Sequence, residues 1–198
     1  MKDILFIENI GYKSLFYSFF LNYKKNYNQI YYIDTSINIK PFTKVLNLIR
    51  KFEPKKLNFK LIDIKMNGEL IRLRIDRFDL LSFVKEIENK NEIRIGSKSN
   101  YFHNLEHFVM RGIQGGGISD KSSPSHFIYL IYVINWYAKK NNLEGEINFV
   151  VYKRPWFNFY EKTARKFKIK LIKISKISNL VQNLPQKRYK ILKILSLN

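Results

Sequence analysis

Two spacings in this chain have a chemistry attached to them. His103-Asn104-Leu105-Glu106-His107 reads H-x-x-E-H. On a helix that spacing puts both imidazoles on one face and Glu106 one turn from His103. Two such imidazoles ligate zinc, and the carboxylate activates a metal-bound water. A third ligand has to come from downstream, where Asp120, Glu144, Glu146 and Glu161 are the acids available. The second spacing is Arg154-Pro155-Trp156, directly after the apolar run Val150-Val151-Tyr152. A guanidinium grips phosphate or carboxylate through paired hydrogen bonds, and an indole offers a flat apolar face to a sugar ring.

Two further sets of residues are placed by what precedes them. Glu8, Asn9, Gly11 and Tyr12 follow the apolar run Ile4–Ile7, and Asp34 follows Gln29–Ile33. Both runs read as strands, so these residues sit at strand ends, where open α/β sheets hold their ligands. Phosphate-loop chemistry is absent. Gly112–Gly117 follows no predicted strand and lacks the Lys-Ser or Lys-Thr ending. The acid-x-Lys triplets Asp63-Ile64-Lys65 and Glu88-Asn89-Lys90, which a nuclease would use, are expected by chance in a chain with this much lysine.

The elements needed to position these residues are legible. After the first strand, Ser14 reads as the N-cap of a helix reaching Lys25. After the second, Pro41 suits the first turn of a helix to about Phe52, with Val45, Leu48, Ile49 and Phe52 on one face. Phe59–Met66 and Glu69–Ile75 flank Asn67-Gly68 and predict a β-hairpin with a type I′ turn. Asp76 opens a helix through Glu88, and Glu92–Ile95 is a short strand. Residues 96–125 read as a long loop system holding one helix, His103–Met110. Ser125 caps an apolar helix over 126–140. Then come a strand Ile147–Tyr152, a helix Phe157–Phe167 and a strand Ile169–Ile174. The alternation predicts an α/β, Rossmann-like, mostly parallel twisted sheet with helices on both faces and one inserted β-hairpin. It occupies 1–178, and 179–198 form a basic tail or linker helix.

Composition narrows the classes. With 198 residues, 45% of them hydrophobic and 16% aromatic, the chain can bury a core and is not a disordered polyelectrolyte. It has no cysteine, so disulfides, thiolate metal sites and cysteine nucleophiles are excluded. The net charge of +20 suggests nucleic acid. However, lysine far outnumbers arginine and no recognised nucleic-acid module is present. The charge is also uneven: residues 151–198 hold thirteen cations and one acid. That end is suited to an anionic membrane surface, or to phosphate with Tyr152, Trp156 and Tyr160 stacking on bases. The longest apolar run, Phe127–Ala138, is too short to span a bilayer, and the amino terminus shows no secretory signal. A cytoplasmic protein, peripheral at the inner membrane face, is expected.

A resemblance adds to this reading. The strand before Arg154-Pro155-Trp156, then Tyr160, Ala164 and Lys168–Ile172, with the arm Asn67–Ile75, resembles the amino-terminal region of bacterial surface-carbohydrate biosynthesis proteins similar to GT-B glycosyltransferases. The resemblance covers most of 1–178 as element order and patterned positions. It implies sugar transfer from a nucleotide sugar, as co-substrate rather than tightly bound cofactor, to a glycan or lipid-linked acceptor. This chain would be the acceptor-side half: either a fragment whose donor-binding domain is missing, or a chain that needs a separate donor-binding partner, or one that no longer transfers sugar. Asn9, Gly11, Tyr12, Asp34, Arg154 and Trp156 are then the substrate-binding candidates, and Glu8, His103 and His107 the positional candidates for catalysis. The chain has no pair of glutamates eight positions apart, a common donor-site pattern in that family. Around the histidines, Phe108–Gly112 resembles pitrilysin-type peptidases, which keeps a zinc-peptidase alternative using His103, Glu106 and His107. A basic nucleic-acid-binding domain is the other alternative.

Overall fold

The computed structural model describes residues 3–59, 64–80, 82, 123–154 and 157–174. The chain divides into two compact units. The first draws on residues up to 58, on 144–154 and on 168–174, and the second on residues from 59 to 143 and on 157–167.

The first unit is built on a five-stranded sheet. Its strands are β1 (Ile4–Ile10), β2 (Gln29–Thr35), β3 (Lys55–Lys56), β6 (Ile147–Val151) and β7 (Ile169–Lys173). Their order is β3-β2-β1-β6-β7 and every pairing is parallel. Strands in such a sheet are covered on both sides and read as continuous apolar runs, as Ile4–Ile7 and Phe149–Val151 do. Helix α1 (Tyr12–Lys25) links β1 to β2, and α2 (Lys40–Ile49) links β2 to β3. Leu5, Ile7 and Ile10 of β1, Leu15, Phe19 and Phe20 of α1, Ile30, Leu46, Phe52 and Val150 form one buried cluster. The fold is α/β and Rossmann-like.

Several boundaries move from their sequence positions. β1 continues to Ile10, because Asn9 and Ile10 pair with Asp34 and Thr35 of β2. The N-cap of α1 is Gly11, with Ser14 at the third helical position. The end of α1 at Lys25 is as expected, closed by Asn26 in the left-handed conformation common at helix ends (φ 57°). Helix α2 ends at Ile49, so Phe52 enters the core from the following segment. Of the apolar face predicted for α2, Val45, Leu48 and Ile49 lie exposed.

In the second unit the Asn67-Gly68 turn is present, with both residues at positive φ (54° and 81°) as a type I′ turn requires. Its arms are short: β4 (Lys65–Met66) and β5 (Glu69–Leu70) form a separate two-stranded sheet. The expected arm through Ile75 is instead helical, as α3 (Ile71–Arg74) and a π-helical stretch, Ile75–Asp79. The pattern Ile71, Leu73, Ile75 fits alternation, but Ile71 and Ile75 also stand four residues apart, one helical turn. Those two are buried, while Leu73 is exposed. Helix α4 (Pro124–Lys140) is capped by Ser123, not Ser125; the Ser123 hydroxyl accepts from the His126 N–H at 3.0 Å, with Pro124 at the first position. Phe127 of α4 meets Tyr160 of α5 (Phe157–Arg165) edge to face. Among the described residues no helix is long and apolar enough to cross a membrane. The expected strand Glu92–Ile95, the helix His103–Met110 and the tail beyond 178 lie outside the described residues.

A buried polar network crosses this unit. The Tyr132 hydroxyl donates to Asp79 Oδ2 at 2.7 Å, and the Arg74 guanidinium adds its charge near that carboxylate. Burial pushes the Asp79 carboxyl above its ordinary value, outweighing the Tyr132 hydrogen bond and the cations Lys166 and Arg74. A raised carboxyl favours folding most when protonated. Its contribution is complete below the ordinary carboxylate range and is lost as pH rises through the raised value. Asp79→Asn should therefore match the parent at low pH and become the more stable form above that value. Thermal melts across the acid range check this; a variant less stable than the parent at neutral pH would contradict it.

Candidate functional site

The sheet reverses its direction of growth between β1 and β6. From β1 the chain builds outward through β2 to β3, then returns to the other side of β1 to add β6 and β7. A crevice opens outside the carboxyl ends of the strands at such a reversal. The segments at those ends are Gly11–Ser14 after β1, Asp34–Ser36 at the close of β2 and Tyr152–Arg154 after β6.

Hydrogen bonds fix this rim. Ser14, fully buried at the start of α1, donates from Oγ to the Asn9 carbonyl at 2.6 Å and accepts from the Gly11 N–H at 2.8 Å. The Tyr152 hydroxyl donates to the same Oγ at 3.2 Å. The Tyr152 N–H donates to Glu8 Oε2 at 3.3 Å, and Glu8 Oε1 accepts from the Arg154 guanidinium. Tyr152 thus ties the end of β6 to β1 at Glu8 and to the start of α1 at Ser14. From β2, Thr35 Oγ1 and the Ser36 N–H both donate to the Ile10 carbonyl, at 3.1 and 3.0 Å.

Gly11 has little room for a side chain. A Cβ there would stand 3.3 Å from Ser36 Oγ and 3.4 Å from the Tyr152 hydroxyl. The first α-helical bond of α1 runs from the Leu15 N–H to the Gly11 carbonyl, so the N–H groups of Tyr12, Lys13 and Ser14 lie before the helical ladder. They place the positive end of the helix dipole at the rim. Asn9 Oδ1 is shielded from solvent and has no hydrogen-bond partner among the described residues. Asp34 Oδ1 accepts from the Thr35 N–H at 2.9 Å.

The residues proposed from the sequence fall into three groups. Glu8, Asn9, Gly11, Asp34 and Arg154 come together at this one rim. Tyr12 stands at its edge, largely exposed, its ring edge-on to Phe42 at 5.4 Å. Trp156, His103, Glu106 and His107 lie outside the described residues. Glu8 and Arg154 hold each other with only 12% and 18% of their side chains exposed, so this carboxylate serves first to fix the turn after β6. Ser14 and Ser36 were not singled out as site residues by sequence, and Tyr152 was singled out only for stacking on bases. The available signal was their position, each within four residues of a strand end. Among the described residues no cluster of three or more histidine, aspartate or glutamate side chains is placed to hold a metal ion.

The arrangement presents helix N–H donors, hydroxyls and amide and carboxylate acceptors around one crevice. Comparison of the chain with protein families, with curated proteins and with solved structures finds no match.

Proposed function

We propose that this chain is the acceptor-side half of a GT-B-like glycosyltransferase of surface-polysaccharide or lipopolysaccharide synthesis. It holds a saccharide acceptor at the rim between Gly11 and Tyr152, and a donor-binding domain supplies the nucleotide sugar. The observation that carries this reading is the convergence of the Gly11 and Tyr152–Arg154 turns at the point where strand order reverses. Asn9 Oδ1, an acceptor lacking a donor among the described residues, adds a group that a sugar hydroxyl would satisfy.

Calorimetric titration with a panel of bacterial surface-glycan fragments tests it. Binding is expected, and Gly11→Val should weaken it by about tenfold or more, since the side chain enters the space bounded by Ser36 and Tyr152. Absence of binding to any fragment, or an unchanged affinity in a folded Gly11→Val variant, would refute the reading. A second reading has one observation behind it. Asp34 stands next to the last residue of β2, paired with Asn9 of β1, near where parallel sheets commonly place an acid on a ribose. Binding of uridine diphosphate that is lost in Asp34→Ala, without saccharide binding, would select it.

A further inference from the structure

The apolar sector of α2 is wider than the core it covers. Of this helix only Leu46 is buried, while Val45, Leu48 and Ile49 are 58%, 88% and 41% exposed. Phe42, one turn before Val45, meets the ring of Tyr12, itself 59% exposed, so the stripe continues to the start of α1. An amphipathic helix that only roofs a sheet turns its aliphatic positions inward. Here three of them face outward. Lys13, Lys40, Lys44 and Lys51 are exposed on the same two helices and just beyond, and residues 36–52 contain no acid.

We infer that this face docks peripherally on an anionic lipid bilayer. Tyr12, Val45, Leu48 and Ile49 enter the interfacial region, and the lysines reach the headgroups with their stems along the apolar surface. Charge selects this occupant over the others. A second copy of the chain would set the same lysines against each other. The chain's own residues 175–198 carry five cations and no acid, so they too are repelled. An acidic lipid surface supplies apolar depth and negative potential together. The inference rests on the surface of α2 and is independent of the saccharide reading.

Co-sedimentation of the full chain with vesicles tests it, using phosphatidylcholine alone and equimolar phosphatidylcholine and phosphatidylserine. Binding to the mixed vesicles and little to the neutral ones is expected. Leu48→Gln should lower the partition by about tenfold, and Lys40→Gln and Lys44→Gln by about fivefold each. An unchanged melting temperature verifies that each variant keeps its fold. Three results would overturn the inference. One is no binding to the mixed vesicles. Another is binding that survives Leu48→Gln but is lost when Lys187, Arg188 and Lys190 are changed to Gln, which assigns the contact to the basic carboxyl end. The third is a dimer on size exclusion that Leu48→Gln dissociates, which makes a second copy the occupant.

Discussion

Truncating Phe149 to alanine is expected to destabilise the protein by about 3–5 kcal/mol. Phe149 lies mid-way along β6, fully buried, in register with Phe6 of β1 on one side and Leu171 of β7 on the other. The loss combines the transfer of an aromatic ring with a cavity that flanking strands cannot close, since their hydrogen bonds fix the spacing. A domain of this size is stable by only about 5–15 kcal/mol, so the variant should show a large fall in urea midpoint. Because β6 delivers Tyr152 and Arg154 to the rim, ligand binding should weaken with it. A loss below about 1 kcal/mol would mean that β6 is not a central strand.

Removing the Glu8 carboxylate is the second large effect. Glu8→Ala should destabilise by about 2–4 kcal/mol, somewhat under the cost of breaking a fully buried pair. The reason lies less in attraction than in what remains: a largely buried Arg154 guanidinium without that carboxylate, and a Tyr152 N–H without its acceptor. Arg154→Met alone should be costly as well, because it strands the carboxylate. Glu8→Leu combined with Arg154→Met should recover much of the loss, giving a favourable coupling in a double-mutant cycle. Denaturant titration of the four proteins measures this. A single-variant loss below about 0.5 kcal/mol would place the pair with solvent-exposed ion pairs.

The strands of the sheet were legible because their local pattern and their burial agree. Ile4–Ile7 and Phe149–Val151 are continuous apolar, partly β-branched runs, which only a strand covered on both faces uses in so short a length. β3 gave no such signal: it is two exposed lysines, held in the sheet by backbone bonds to β2 that no side chain announces. Ile71–Ile75 misled because alternation and the helical turn coincide at Ile71 and Ile75, and only packing decides between them. The face of α2 misled in the other direction. An apolar stripe at helical spacing predicts that something covers it, not that the covering is this chain's own core.

The site was legible to the same degree. Gly11, Asp34 and Arg154 could be placed because each follows a strand. That β6 lies beside β1 is a fact of strand order, carried by no local pattern. It is this order that brings Tyr152 onto Ser14 and Arg154 onto Glu8. Ser14 looked like a helix cap for a related reason: a hydroxyl near a helix start is the usual cap, but a glycine leaves the space here that Ser36 and Tyr152 approach.

The most direct test of the central claim is backbone amide shift mapping of the labelled protein as it is titrated with a bound surface-glycan fragment. A saccharide held where the sheet reverses should move the amides of Gly11, Ser14, Asp34 to Ser36 and Tyr152 to Arg154 first and furthest. Shifts confined to the opposite ends of the strands, around Asp3 and Glu146, or to helices α3 and α4 would contradict it.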